Sequence, residues 1–425
     1  MAAFSRCPLA KGNAPLDVSV PEAKAESFCR SGHRPTLLAA FLYFDVSFMV
    51  WVILGPLAPL IAAELDLDPA ETGLMVAVPT LSGAALRLVN GLLVDSVGPR
   101  LTGALNQVLV IAGLLAGWWF GIDSFAGTLA LGLVLGFAGA SFAVALPLAS
   151  RWYPPEHQGK AMGIAGMGNS GTVLAALFAP LLAKAFGWNA VLGLAAIPLA
   201  VVFAFYLRAA KDAPGRAQPK SLSAYAKLLA EKDAWWLMAF YAVTFGGFVG
   251  LSSSLPMWFT TSFALTPVTA GYCTAAAVFT GSLVRPLGGA LADRFGGTRT
   301  LSAVYSVAAL LLAAIAQGPA TLPLALALFV LVMATLGLGN GAVFQLVPQR
   351  FGREIGLMTG LVGFAGGVGG FYLASSLGFA QELTGSSSAG FLIFAGLAVV
   401  ALAGLTAVKT RWRTTWGAAL QGVRI

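Results

Sequence analysis

Beyond residue 35 the chain is a succession of long apolar runs separated by short polar breaks. A helix of about 20 apolar residues crosses a hydrocarbon core of ~30 Å. Twelve runs of that kind can be counted, at roughly 36–63, 71–94, 102–121, 125–150, 160–183, 188–207, 234–260, 268–292, 299–317, 322–347, 355–381 and 389–408. The pattern predicts an all-α polytopic membrane protein. The longest polar break, 208–233, holds Arg208, Lys211, Arg216, Lys220, Lys227 and Lys232 with Pro214 and Pro219, and divides six runs from six. The predicted organisation is a tail over 1–35, a six-helix half over 36–207, a linker over 208–233, a second half over 234–408 and a tail over 409–425.

Two residues interrupt the apolar pattern in the same way. Arg87 lies in the second run and Arg285 in the eighth; Gly91, Asp95 and Gly98 follow the first at the spacing with which Gly289, Asp293 and Gly296 follow the second. The chain is therefore a doubled unit. A guanidinium at the centre of a membrane helix costs roughly 2.5 to 3.5 kcal/mol on insertion scales, so such a residue is a functional candidate by default. Two halves of six helices are the layout of secondary transporters that rock about a central site.

Charge fixes the topology. Only 10% of the 425 residues are charged and mean hydropathy is +0.83, against about 25% charged in soluble domains. Net charge is +8, yet the basic residues sit between apolar runs rather than in a stripe, which excludes a nucleic-acid surface. Of the 25 Lys and Arg, 22 fall on one side of the predicted membrane, with Lys184 alone on the other. Positive residues collect on the cytoplasmic side, so both termini are expected there, in an inner or plasma membrane. Cys7, Cys29 and Cys273 are too scattered for disulfides or a metal site. No nucleotide-binding loop, metal cluster or acid/base constellation appears, so neither a cofactor nor an enzyme is expected.

The segments Gly91-Leu-Leu-Val-Asp95-Ser-Val-Gly98-Pro-Arg100 and Gly289-Ala-Leu-Ala-Asp293-Arg-Phe-Gly296-Gly-Thr-Arg299 resemble the loop signature of the major facilitator superfamily. Gly163-Ile-Ala-Gly166-Met-Gly168-Asn169-Ser-Gly171-Thr and Gly360-Leu-Val-Gly363-Phe-Ala-Gly366-Gly367 resemble the two signatures of its nitrate/nitrite porter family. The resemblance implies the twelve-helix major facilitator fold with two pseudo-symmetric halves. It implies a functional monomer carrying nitrate or nitrite. Position by position, it makes Arg87 and Arg285 the anion-binding pair, with Asn169, Phe48, Phe142, Tyr241 and Phe245 completing the site. Asp95, Arg100, Asp293 and Arg299 would latch one conformation, and the eight glycines would let helices slide.

Physical chemistry points the same way. Along the helix the acid closest to Arg87 is Asp95, eight residues or ~12 Å away, and Arg285 stands in the same relation to Asp293. Paired guanidiniums that stay protonated and lack a carboxylate favour a bound anion, and their planar fork matches a flat oxyanion. An acid from elsewhere in the fold could instead neutralise either one. Asn169 could merely bend its helix, and the aromatics could be packing. Asn340 and Gln345, at membrane depth, read as interhelical hydrogen-bonding groups. Asp45 is the sole carboxylate well inside an apolar run, which makes it the candidate for coupling protons to anion entry, or else a static polar residue. The expected function is nitrate import by proton symport, with nitrate/nitrite exchange as the close alternative and organophosphate/phosphate exchange a remoter one.

Overall fold

The computed structural model describes residues 28, 31–214, 222–351 and 355–415, and every regular element among them is helical. Twelve helices are long and apolar enough to cross a membrane: Arg34–Leu65, Pro69–Ser96, Pro99–Phe120, Phe125–Ser150, Ala161–Phe186, Trp188–Ala209, Lys232–Phe263, Pro267–Phe295, Gly297–Ala316, Leu322–Phe351, Gly356–Thr384 and Ser388–Thr414. Each covers one of the twelve apolar runs, and they are called spans 1 to 12 below. A short linker helix, Leu222–Leu229, precedes span 7. Most of the expected N-terminal tail, Arg216, Pro219 and Lys220 of the linker, and 416–425 lie outside the described residues.

Several spans outrun their apolar runs. Span 12 continues to Thr414 because its polar end has partners: Trp412 is fully buried and its indole N–H donates to Asp233 at 2.8 Å. Arg411 also pairs with Asp233, as does Arg350 at 3.0 Å, so the ends of spans 10 and 12 are tied to the start of span 7. Hydropathy reads lipid contact, not the ion pairs that extend a helix past it.

Four spans break or tighten within their length. Span 1 opens at Val52 and Ile53, where Pro56 has no N–H to give the Val52 carbonyl and Gly55 N–H takes it at 3.0 Å. Span 4 opens at Ala140 and Ser141, where Ala143 N–H turns to the Ala140 carbonyl at 3.0 Å and so releases that of Gly139. Span 5 tightens to a 3₁₀ turn over Met167–Ser170, and span 8 breaks at Val284, with Pro286 immediately after Arg285. Broken helices at membrane depth free backbone groups for a site.

The halves meet along spans 1 and 7, 2 and 11, and 5 and 8. Each seam has a glycine where backbones touch. A methyl on Gly55 would stand 2.5 Å from the Ser253 carbonyl, one on Gly73 would stand 2.8 Å from the Gly378 Cα, and one on Gly271 would strike the Ala176 carbonyl.

Candidate functional site

Arg87 projects from span 2 into the middle of the protein and is 1% exposed. Its Nε donates at 3.1 Å to the Gly139 carbonyl released by the break in span 4, and its Nη1 donates at 2.5 Å to the Gly363 carbonyl of span 11. One guanidinium thus bonds to both halves. The third nitrogen, Nη2, is buried without a partner. Arg285, at the break in span 8, donates from Nη2 to the Tyr241 hydroxyl at 3.3 Å, and its Nη1 is likewise buried and unpartnered. Among the described residues no carboxylate lies within 4.0 Å of either arginine. Two cationic donors are left aimed at nothing.

Aromatic rings wall this place. The Phe142 ring serves both arginines, with the Arg87 Cζ 5.7 Å and the Arg285 Cζ 6.0 Å from its centroid. Phe245 and Trp51 flank Arg87 at 5.2 and 5.1 Å. Tyr241 and Phe245 are stacked at 5.0 Å with planes 5° apart, and a methyl on Gly366 would stand 2.7 Å from one ring and 2.8 Å from the other, so the glycine makes their room. Ring faces attract the guanidiniums while keeping water away, which strengthens any charge interaction there.

Phe48 is fully buried, but it packs on Phe44 and Trp51 and stands behind the Trp51 wall. Asn169 is buried in the 3₁₀ turn; with its amide oriented to satisfy both ends, the nitrogen donates to the Met167 and Gly166 carbonyls at 3.3 and 3.2 Å. Asp45 lies at the seam of spans 1 and 5, where the Ser170 hydroxyl donates to it at 2.7 Å, and Gly171 lets the span 5 backbone touch the Asp45 carbonyl. Of the other expected sliding glycines, Gly168 and Gly367 are in tight helix contact, whereas Gly163 has open space beside it. Asn340 is 1% exposed and neither end of its amide has a partner among the described residues, so the expected interhelical bond is not made.

In the first loop signature Asp95 and Arg100 engage other helix ends and not each other. Asp95 pairs with Arg151 of the span 4 end at 2.5 Å, while Arg100 reaches across to the end of span 6, its Nη2 donating to the Leu207 carbonyl at 2.8 Å. In the second half Arg350, at the end of span 10, goes to Glu231 and Asp233, and Asp293 and Arg299 form no ion pair among the described residues. Among the described residues, only the first copy of the loop signature holds an ion pair.

Comparison with known proteins follows the same lines. The model of the Major Facilitator Superfamily matches residues 38–374. A Mycobacterium tuberculosis protein named "Probable nitrate/nitrite transporter NarK2" is 34% identical over 378 residues, covering 87% of this chain and 95% of its own. The chain belongs to the nitrate/nitrite porter family of the major facilitator superfamily. It is a multi-pass membrane transporter and not an enzyme. Among other similar members are the Bacillus subtilis "Nitrite extrusion protein", 34% identical over 85% of this chain and 90% of its own, and the Thermus thermophilus "Probable nitrate/nitrite antiporter NarK1", 30% identical over 84% and 88%.

In this porter the sequence reading passed over one wall of the site. Phe344 lies 5.7 Å from the Arg285 Cζ, 5.0 Å edge-on to Tyr241 and 5.9 Å from Phe142. A signal existed: Phe142 stands five residues before Pro147 of span 4, and Phe344 four before Pro348 of span 10. The carbonyl of Gly139 had no such signal, because only the break in span 4 frees it.

Proposed function

We propose that the transporter imports nitrate by proton symport, alternating access about an anion site made by Arg87 and Arg285, in an inner or plasma membrane with both termini cytoplasmic. The observation that carries the site is the pair of buried, unpartnered guanidinium nitrogens, Arg87 Nη2 and Arg285 Nη1, with no carboxylate within 4.0 Å among the described residues. A buried donor left unmade costs ~1–3 kcal/mol, more when charged, and a small acceptor anion between the two relieves both at once. Nitrate and nitrite are flat monovalent oxyanions suited to two forks and ring walls. The names of the relatives supply the same substrates.

Bringing a monovalent anion into a negative interior is opposed by roughly 2.3 kcal/mol per 100 mV. Co-transported protons offset this, and Asp45 supplies the titratable group. Its Ser170 partner adjoins Asn169, so a change in its charge acts on the turn of span 5. A second reading, nitrate/nitrite exchange, is favoured by the Thermus relative's name and by an arginine pair that either anion satisfies alone. Proteoliposomes loaded with or without nitrite, under an imposed pH gradient, separate the two. Nitrate uptake that follows the gradient without nitrite supports symport, and uptake that requires internal nitrite and ignores the gradient overturns it.

A further inference from the structure

Spans 2 and 11 face each other across the two halves, and the nature of their contact changes along their length. Far from the linker they touch directly: a methyl on Gly378 would stand 2.7 Å from the Gly73 Cα. Midway, a methyl on Gly367 would stand 2.6 Å from the Ala84 Cβ, and Arg87 bonds to Gly363. Towards the linker the contact becomes indirect. A methyl on Gly91 of span 2 would stand 2.5 Å from the hydroxyl oxygen of Tyr225, and one on Gly360 of span 11 would stand 3.5 Å from the same atom. The phenol whose hydroxyl end stands between the two glycines comes from the linker helix, which belongs to neither bundle.

Tyr225 is 7% exposed, and its hydroxyl is buried without a hydrogen-bond partner among the described residues. Such a hydroxyl gains nothing polar from its position, so shape and apolar burial hold the ring there. Burial, and then the charge of Asp95, push the hydroxyl up to about 12, which leaves it neutral under ordinary conditions. No ion pair has to break for the ring to leave. Tethering on a linker confines such motion to a short swing.

We propose that Tyr225 is a removable plug, closing the gap between Gly91 and Gly360, and that the linker-side route to the arginine pair opens when the linker helix withdraws the ring. Glycine at position 91 then makes the socket, since a methyl there displaces the hydroxyl tip, whereas one at Gly360 meets it in ordinary contact. The device works by occupying space, whatever anion the transporter carries.

The test uses the full-length chain in detergent micelles, with Cys7, Cys29 and Cys273 replaced by serine and one reporter thiol introduced by Gly363→Cys. That position lies one turn deeper than Gly360, and a Cβ there meets its neighbours at 3.4 Å or more, in ordinary contact. The reading is the rate of labelling by a water-soluble maleimide. Tyr225→Phe, which removes the oxygen that stands between the two glycines, should label at least twofold faster than the parent, and Tyr225→Ala at least tenfold faster. Gly91→Ala, whose methyl takes the space of the hydroxyl end, should accelerate labelling at least threefold and serves if Tyr225→Ala does not fold. Unchanged rates in both Tyr225→Ala and Gly91→Ala would overturn the plug. Labelling needs no transport, so failure here leaves the nitrate reading standing, and failure of that reading leaves this one.

Discussion

Replacing Arg87 by lysine keeps the charge and removes the fork. In the structure Arg87 spends two of its three nitrogens on the Gly139 and Gly363 carbonyls and holds Nη2 free. An ammonium on a shorter, unbranched stem cannot span span 4, span 11 and an anion at once. If it keeps the backbone bonds, the anion loses one charge-assisted hydrogen bond, about 1.5–3 kcal/mol, which is roughly a 10- to 150-fold weaker half-saturation. If it turns to the anion, the two carbonyls are stranded and the link between the halves is lost, so the maximal rate falls as well. Nitrate-dependent thermal stabilisation of the purified Arg87→Lys protein measures binding, and tracer nitrate exchange in proteoliposomes measures turnover. A half-saturation and a rate both within threefold of the parent would refute the fork argument. Arg285→Lys is the internal control: among the described residues the one hydrogen bond its side chain makes is the 3.3 Å bond to Tyr241, so its defect should lie in affinity more than in rate.

Other outcomes follow from the same geometry. Asp45→Asn should abolish uptake driven by a pH gradient and spare nitrate/nitrite exchange; full gradient-driven uptake would make Asp45 a bystander. Gly366→Ala places a methyl 2.7 and 2.8 Å from the Tyr241 and Phe245 rings and should cut transport at least tenfold while thermal stability falls by about 1–3 kcal/mol, measured by exchange assay and unfolding midpoint. Phe344→Ala should weaken nitrate binding several-fold in the thermal-shift titration, and binding equal to the parent's would remove Phe344 from the wall. Asp95→Asn strips the Arg151 ion pair, and a maleimide reporter on the linker side should label faster in it, whereas Asp293→Asn, with no ion pair among the described residues, should leave the rate unchanged.

Much of this transporter was written in the order of its residues. Lipid allows so few solutions to backbone hydrogen bonding that twelve apolar runs declare twelve helices. The doubled Arg-Gly-Asp-Gly spacing declared the repeat, and the cost of burying a guanidinium marked Arg87 and Arg285 as the residues to watch. What linear order could not carry was which groups those arginines meet. The Gly139 carbonyl becomes an acceptor only because span 4 breaks, and Gly363 only because span 11 crosses to the other half. Phe344 was marked by its place before Pro348, but the arginine and rings it meets were not, while Asp95 finds Arg151 instead of the nearer Arg100. Apolar pattern reports each helix's exchange with lipid, a property of single segments. Acceptors, ring walls and ion pairs depend on the relative rotation and depth of helices far apart in the chain, and packing alone sets these.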